Sequence, residues 1–597
     1  MKLLHTYERD SGQLANLHKS CFITAKSCSL ARKNLIASWT DFTNKTFPIK
    51  YLCAPLYKGR STISLFQDLV DAVRVKLEGW KARLLSFGGK MTIIKSFISA
   101  MPIHIMSVLK VPKNVLHSLQ AAFTNFLWSS NGESRHAWVG WDNISLPFEE
   151  GGLGIKSLAQ TRASLHCKLA WTYLQGHSLW AQFMRQKDGD PHEVLHNPAP
   201  SYSSHCWLAV LEQFPFVFDH SKWILGKGNT QFWKENWLEL ELEIPANFSS
   251  DITVREALQS PSFLESIHDL VPENTMHQIL SMRAHINPNK EDMLCWTLNS
   301  SGKFSTASAW ENKRAHGPLF QWHKQIWNKY IPMKISAFIW KVLHNGIAVD
   351  QNIVKLGFRM ASKCHCCSSP NIESRDHLLI RSELASIVWN HFSVILNLPL
   401  AFQSVENLLL SWFDQASFRN QIGALRIIIA CCSLWEIWLH RNDRIFNDTD
   451  LNPRMVIQKI WKWALNLSAS YVPKSSLSFH DKCIVAALGI PLCSTPTRRG
   501  KWIRWIPPEG DQIKLNIDGS CIDNMATGGG ILINSLGDII LALSANFGVG
   551  SNMVAEAKAL LLGFCSDHNI SPNFIESDSK MLVQVMLSHI STPWAIS

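Results

Sequence analysis

Ile513-Lys-Leu-Asn-Ile-Asp518-Gly-Ser520 decides the reading of this chain. Its apolar side chains Ile513, Leu515 and Ile517 alternate with polar ones, which is the period of a half-buried strand, and the alternation predicts a strand ending at Asp518 on its polar face. Gly528-Gly-Gly530 then leads into Ile531-Leu-Ile533, and a turn at Asn534-Ser-Leu-Gly-Asp538 joins this run to Ile539 through Ala545. A second and third strand joined as a hairpin follow from that spacing. Asn552 is placed to cap a helix whose Ala555-Glu556-Ala557 opens a run of good helix formers through Phe564. Asn573 to Glu576 reads as a short fourth strand with Asp578 just past its end, and Ser579 starts another helical pattern through Leu587. Taken singly, each of these acids reads as a solvated surface residue or a cap. Their order carries more: one acid on the first strand, one on the first helix, one after the fourth strand.

Residues and order together closely resemble the ribonuclease H fold. The resemblance implies that Asp518, Glu556 and Asp578 converge to hold two Mg²⁺ ions, one generating a hydroxide nucleophile and the other stabilising the leaving 3′ oxygen. Hard carboxylate oxygens suit Mg²⁺, and three such groups repel one another in its absence. It also implies an RNA/DNA hybrid as partner, recognised by shape and 2′-OH contacts rather than by base sequence. A complete domain of this family continues through a further strand and helix bearing a fourth metal-binding acid and a nearby histidine, whereas the sequence stops at Ser597. His589 has no motif around it. A C-terminally truncated domain with an open edge on its fourth strand is therefore expected over 511–597.

Further upstream, Cys364-His-Cys-Cys367 followed by His377 supplies candidate metal ligands. Phe304-Ser-Thr-Ala-Ser-Ala-Trp310, Trp327-Asn-Lys, Pro332-Met-Lys-Ile335 and this Cys/His cluster resemble the zinc-binding domain of plant-type non-LTR retrotransposon reverse transcriptases. The resemblance makes Cys364, Cys367 and His377 ligands to Zn²⁺ and puts Ser382 where a fourth cysteine belongs; a hydroxyl is a poor substitute for thiolate. A cysteine-rich loop with reduced thiols remains the other reading. Trp435-Glu-Ile-Trp-Leu-His-Arg-Asn442 recurs in the same family's linker, where Trp435 and Trp438 would pack a helix and Arg441 would be structural. Nearer the start, Ser11-Gly-Gln-Leu-Ala-Asn16-Leu-His-Lys19-Ser20, Tyr51-Leu-Cys-Ala-Pro-Leu56, Trp80-Lys-Ala-Arg-Leu-Leu-Ser-Phe-Gly-Gly-Lys90 and Gly151-Gly-Leu-Gly154 look like the segment that follows the polymerase active site. In that family the catalytic aspartate pair lies before the position of Met1, so no DNA synthesis is expected. Cys53 stands where the family usually has glycine, which questions a tight turn. Lys76, Lys81, Arg83, Lys90 and Lys95 are open to two readings, phosphate contacts or a solvated helix face.

The 597 residues, 46% of them apolar, are enough for several cores. Five segments are expected: a reverse transcriptase remnant at 1–105, a helical connection at 106–300, a zinc-binding-like domain at 303–392, a helical region and linker at 400–505, and the ribonuclease H-like domain. The fold class is multidomain, mostly α-helical in the N-terminal and central regions and α/β at the C-terminus. Linkers are read at Pro191 to Ser204 and Thr495-Pro-Thr-Arg-Arg-Gly500. Within the first segment, Leu65, Leu69, Val73, Leu77, Trp80 and Leu84 recur at helical steps until Gly88-Gly89. Lys and Arg outnumber Asp and Glu by 58 to 47, a net charge of +11 that favours polyanionic partners. The 15 cysteines are scattered, and Met1-Lys-Leu-Leu-His-Thr-Tyr-Glu has no apolar run that could act as a secretory signal. A reducing compartment, nucleus or cytoplasm, is expected. The most apolar window, Ile427 to Trp438, is interrupted by Glu436 and falls short of the ~20 residues of a membrane span. It reads as a buried helix. The 25 tryptophans suggest base-stacking platforms or core filling, the common use of large aromatics.

Two functions remain. One is a ribonuclease acting on RNA/DNA hybrids; the other is a catalytically inactive nucleic-acid-binding relic of a reverse transcriptase.

Overall fold

The computed structural model describes residues 1–79, 85–129, 136–197, 203–238, 251–414, 416–494, 506–522, 525–564 and 572–587. Trp80, Lys81, Arg83, Leu84, the linker at 495–500 and His589 lie outside the described residues. Two compact units form, Met1–Arg162 with Ala315–Arg498 and Ala163–Arg314 with Arg499–Ser597, so neither is one continuous stretch of chain.

In the first unit the pattern of Leu69, Val73 and Leu77 buries one face of the helix Gln67–Gly79. Gly88-Gly89 does not interrupt a helix, as the sequence suggested. Both glycines sit in the first turn of the helix Phe87–Ser96, where the Gly89 N–H donates to the Ser86 hydroxyl at 3.2 Å. A β-carbon at Gly88 would lie 2.4 Å from Met333 Cγ, so the glycine permits close approach of the helix Met333–Leu343. The apolar window near Ile427 belongs to a longer helix than expected, Gln421–Phe446, capped by Asn420. It is long and apolar enough to cross a membrane, yet 78% of its most apolar window is buried within the protein. Ile427, Ile428 and Cys431 pack there with Trp389, Leu408 and Trp412, so the apolar stretch of the helix lies in the core.

The helical connection expected over 106–300 also contains one pair of short strands. In the second unit Ser221–Ile224 pairs antiparallel with Met293–Trp296. Asp292 fastens the pair's end by accepting N–H bonds from Gly226, Gly228 and Thr230 at 2.6, 2.8 and 2.8 Å. Strands this short do not show an alternation in sequence. Trp171, Trp207 and Trp296 fill one core and Trp233 and Trp237 another. The tryptophans of both clusters are core residues, since each is buried among other apolar side chains.

The C-terminal region runs β1 (Lys514–Ile522), β2 (Met525–Ile533), β3 (Ile539–Val549), α1 (Asn552–Phe564), β4 (Phe574–Ser577) and α2 (Lys580–Met586). Its sheet has the order β4-β1-β2-β3, with β4 parallel to β1 and the other pairs antiparallel. Ala559 and Leu560 of α1 and Leu582 of α2 join Leu515, Ile517 and Leu532 in one apolar cluster. Two local expectations are corrected. β1 does not end at Asp518 but continues to Ile522, because β2 begins earlier than its apolar run and pairs with the extension. Ser551, not Asn552, caps α1, its hydroxyl accepting the Val554 N–H at 3.4 Å.

Candidate active site and metal centres

Asp518 lies in mid-β1, Glu556 one turn into α1 and Asp578 immediately after β4. One carboxylate oxygen from each lies within 4.8 Å of the other two. The register explains the meeting of the strand acids. Parallel pairing sets Ser577 beside Ile517, so Asp578 follows at the level of Asp518. Gly519 explains the third. A β-carbon there would lie 2.4 Å from the Glu556 nitrogen and 2.5 Å from the Ala555 carbonyl carbon, so α1 rests directly on the β1 backbone. Asp518 and Asp578 are exposed, whereas Glu556 is only 8% exposed.

The Gly519 N–H and the Ser577 hydroxyl both donate to the Glu556 carboxylate, but burial first, and then the charge of Asp578, raises its proton affinity above the usual carboxylate range. Its Oε2 is buried without a hydrogen-bond partner among the described residues. A buried, unpartnered carboxylate oxygen facing two further carboxylates is the donor set a hard divalent cation fits. Glu576, two residues before Asp578, is differently engaged: it pairs with Lys514.

A feature not read from the sequence completes this surface. Asp518 lies opposite Gly529 and Gly519 opposite Gly528, so no side chain on β2 stands against the acid. A shallow cavity of about 400 Å³ runs there between Asn516, Asp518, Ser520 and Gly528 to Gly530. The signal was present in Gly528-Gly-Gly530, but only the register shows what the glycines face.

Cys364, Cys367 and His377 also meet, one donor atom from each lying within 4.8 Å of the others. The Cys367 Sγ to His377 Nε2 distance is 3.3 Å. Tetrahedral zinc with Zn–S of ~2.3 Å and Zn–N of ~2.0 Å spaces such a pair by roughly 3.5 Å, so the soft donor set fits the ion. Burial first, and then the Arg381 charge, lowers the proton affinity of His377, which keeps a ring nitrogen free to act as ligand. Ser382 is committed elsewhere: its hydroxyl donates to the Leu378 carbonyl at 2.8 Å and caps the helix Glu383–Leu396 by accepting the Ala385 N–H at 3.2 Å. Cys366 is buried in the apolar core. The cluster's loop is tied down by Arg441, whose guanidinium pairs with the fully buried Glu373, while Asp350 accepts the Ser362 hydroxyl and the Lys363 N–H at 3.0 Å each. Arg441 is structural, as the motif around it suggested.

The candidate basic face is not uniform. Lys76 is exposed and Lys95 sits over the Phe148 ring at 4.1 Å. Lys90 belongs to no solvated face, being 3% exposed with its ammonium donating to the Ser129 carbonyl and hydroxyl. The turn questioned at Cys53 is tight. Leu52 and Cys53 link Ile49–Tyr51 to Ala54–Leu56 with φ of +48° and +64°, a geometry favouring Asn-Gly.

Residues 304–389 match a family described as zinc-binding in reverse transcriptase, and residues 516–591 match one described as reverse transcriptase-like. The chain is similar to an Arabidopsis thaliana protein named "Putative ribonuclease H protein", 24% identical over 573 residues, which cover 91% of this chain and 88% of that relative. It is also similar to an uncharacterized mitochondrial protein of the same plant, 25% identical over 150 residues, or 24% of this chain and 97% of the relative. Among solved structures it is similar to a ribonuclease H1 crystallised in complex with an RNA/DNA hybrid, at 24% identity and a TM-score of 0.12, covering 13% of this chain and 64% of that one. The two family matches and the two relatives identify the C-terminal region as retrotransposon-derived.

Proposed function

We propose that this chain binds nucleic acid and hydrolyses the RNA strand of RNA/DNA hybrids at Asp518, Glu556 and Asp578. The observation that carries the proposal is the meeting of those three carboxylates, with a buried Glu556 oxygen that has no partner among the described residues. They would hold two Mg²⁺ ions. When bound, such a pair lowers the pKa of an attacking water and stabilises the leaving oxygen. The remaining work falls to the chain itself. Gly519 seats α1 so that Glu556 reaches the strand acids, and Ser577 and Gly519 orient the Glu556 carboxylate. The side-chain-free strip opposite Asp518 admits a phosphodiester backbone, and the A-form-like hybrid would be selected by its shape and 2′-OH groups.

Zn²⁺ held by Cys364, Cys367 and His377 would fix the loop 364–377 in the first unit, a structural rather than catalytic role. We place the chain in a reducing compartment, nucleus or cytoplasm; among the described residues no two cysteines are joined by a disulfide. The five segments drawn from the sequence remain our proposed domain division.

The test is Mg²⁺-dependent cleavage of an end-labelled RNA/DNA hybrid by the purified chain. Asp518→Asn removes a ligand whose stabilisation of developing charge is several kcal/mol, so cleavage should fall by roughly 10²–10³-fold. Equal signal from both proteins would remove the enzyme reading and leave hybrid binding without turnover, which a gel-shift titration of the same hybrid would register.

A further inference from the structure

Within the first unit, a cavity of about 280 Å³ is lined by Phe87, Lys90, Trp128, Ser129, His136 and Lys341, among others. It involves neither the carboxylate site nor the Cys/His cluster. Its described lining contains two ammonium groups, a histidine and the indoles of Trp128 and Trp138, and no acidic side chain. Lys341 is half-buried and stands over two rings, its Nζ 3.8 Å from the Phe87 centroid and 5.0 Å from that of Trp128. Among the described residues it has no hydrogen-bond or ion-pair partner. Trp128 is 6% exposed, and its Nε1 is buried with no acceptor among the described residues.

These features have one physical consequence. Ring faces stabilise a cation only partly when it is withdrawn from water, and a buried indole N–H without an acceptor costs free energy. Burial and the neighbouring Lys90 charge push the Lys341 ammonium down to about 8, so the folded chain tolerates its charge at a cost. An oxyanion placed between the two lysines would relieve both deficits at once.

We infer that this cavity binds a phosphate group, with Lys341 and Lys90 supplying charge and the Trp128 N–H supplying a directed donor. Lys90 is positioned for that role by Ser129, whose carbonyl and hydroxyl accept from its ammonium. The phosphate could be inorganic or part of a nucleic-acid strand; the chemistry recognised is the same.

The experiment is equilibrium dialysis of the full chain against radiolabelled inorganic phosphate, in EDTA and at constant ionic strength. Wild type should bind one phosphate saturably, and Lys341→Met should weaken it at least tenfold. That variant replaces a desolvated cation with an apolar chain of similar length and is expected to fold. Trp128→Phe, which keeps a ring and deletes only the donor, should weaken binding several-fold and provides a second arm. Lys76→Met, on an exposed face, should bind as wild type does. An oligonucleotide competitor separates the two sources: displacement assigns the anion to a strand phosphate, and failure to displace assigns it to a free one. No saturable binding by wild type, or undiminished binding by both cavity variants, would overturn the inference.

Discussion

Replacing Asp578 by asparagine should strengthen the metal-free C-terminal region and abolish its response to Mg²⁺. The paired oxygens lie within 4.8 Å of one another. Two of the three acids are exposed, so the dielectric of water is the appropriate limit, and two unit charges at that distance repel by about 0.9 kcal/mol. Asp578 contributes two such pairs. The near-isosteric asparagine removes both and should add roughly 1.7 kcal/mol of local stability, or a 10–20-fold slowing of exchange. Hydrogen–deuterium exchange read on peptides from β1 and α1 reports local opening without requiring the whole chain to unfold in one step. In EDTA the variant should exchange more slowly than wild type. In Mg²⁺ at about 100 times its dissociation constant, wild type should gain about 2.7 kcal/mol, while the variant, short of one ligand, gains little. The order of the two proteins therefore inverts with metal. Faster exchange of the variant in EDTA, or an equal response of both to Mg²⁺, would refute the reasoning that these acids are held together against their repulsion for a cation.

Gly519→Ala places a methyl group 2.4 Å from the Glu556 nitrogen; it should cost about 1–3 kcal/mol by overpacking and, by lifting α1, remove Mg²⁺-dependent protection, both readable in the same exchange experiment. The raised proton affinity of Glu556, caused first by burial and then by Asp578, means that between the ordinary carboxylate value and the raised one the folded state keeps a proton the unfolded state has released. Stability in EDTA should accordingly fall as pH rises from the ordinary carboxylate value through the raised one; limited proteolysis across pH 4–8 should show this, and Glu556→Gln should flatten it. For the second centre, metal analysis should give a zinc-to-protein ratio near one that Cys367→Ser abolishes. Ser382→Cys should leave that ratio unchanged while costing about 1 kcal/mol, because the residue caps a helix rather than facing the cluster. Cys53→Gly should stabilise the first unit by roughly 0.5–1 kcal/mol, since the left-handed turn costs cysteine ~1–2 kcal/mol and glycine loses part of that gain to chain entropy; a lower melting temperature would contradict it.

The sequence by itself determined the chemistry available and much of the local structure. Alternation at Ile513, Leu515 and Ile517, helix formers around Glu556 and the short run before Asp578 fixed β1, α1 and β4 because strand and helix periods are written in consecutive residues. Likewise the resemblance carried by Cys364-His-Cys-Cys367 and His377 named a donor set. Only the tertiary structure decided which of these groups meet, and it did so through features with no periodicity of their own. Parallel register brought Asp578 level with Asp518, and Gly519 let a helix backbone touch a strand. Ser382 was turned toward a helix terminus instead of a metal. Lys90, one basic residue among several in sequence, became a buried cation because Ser129, 39 residues away, supplies acceptors for it. Local pattern reflects the backbone's own preferences, whereas convergence depends on pairings between distant segments, and one residue's change in the strand register would send the strand side chains to the opposite face.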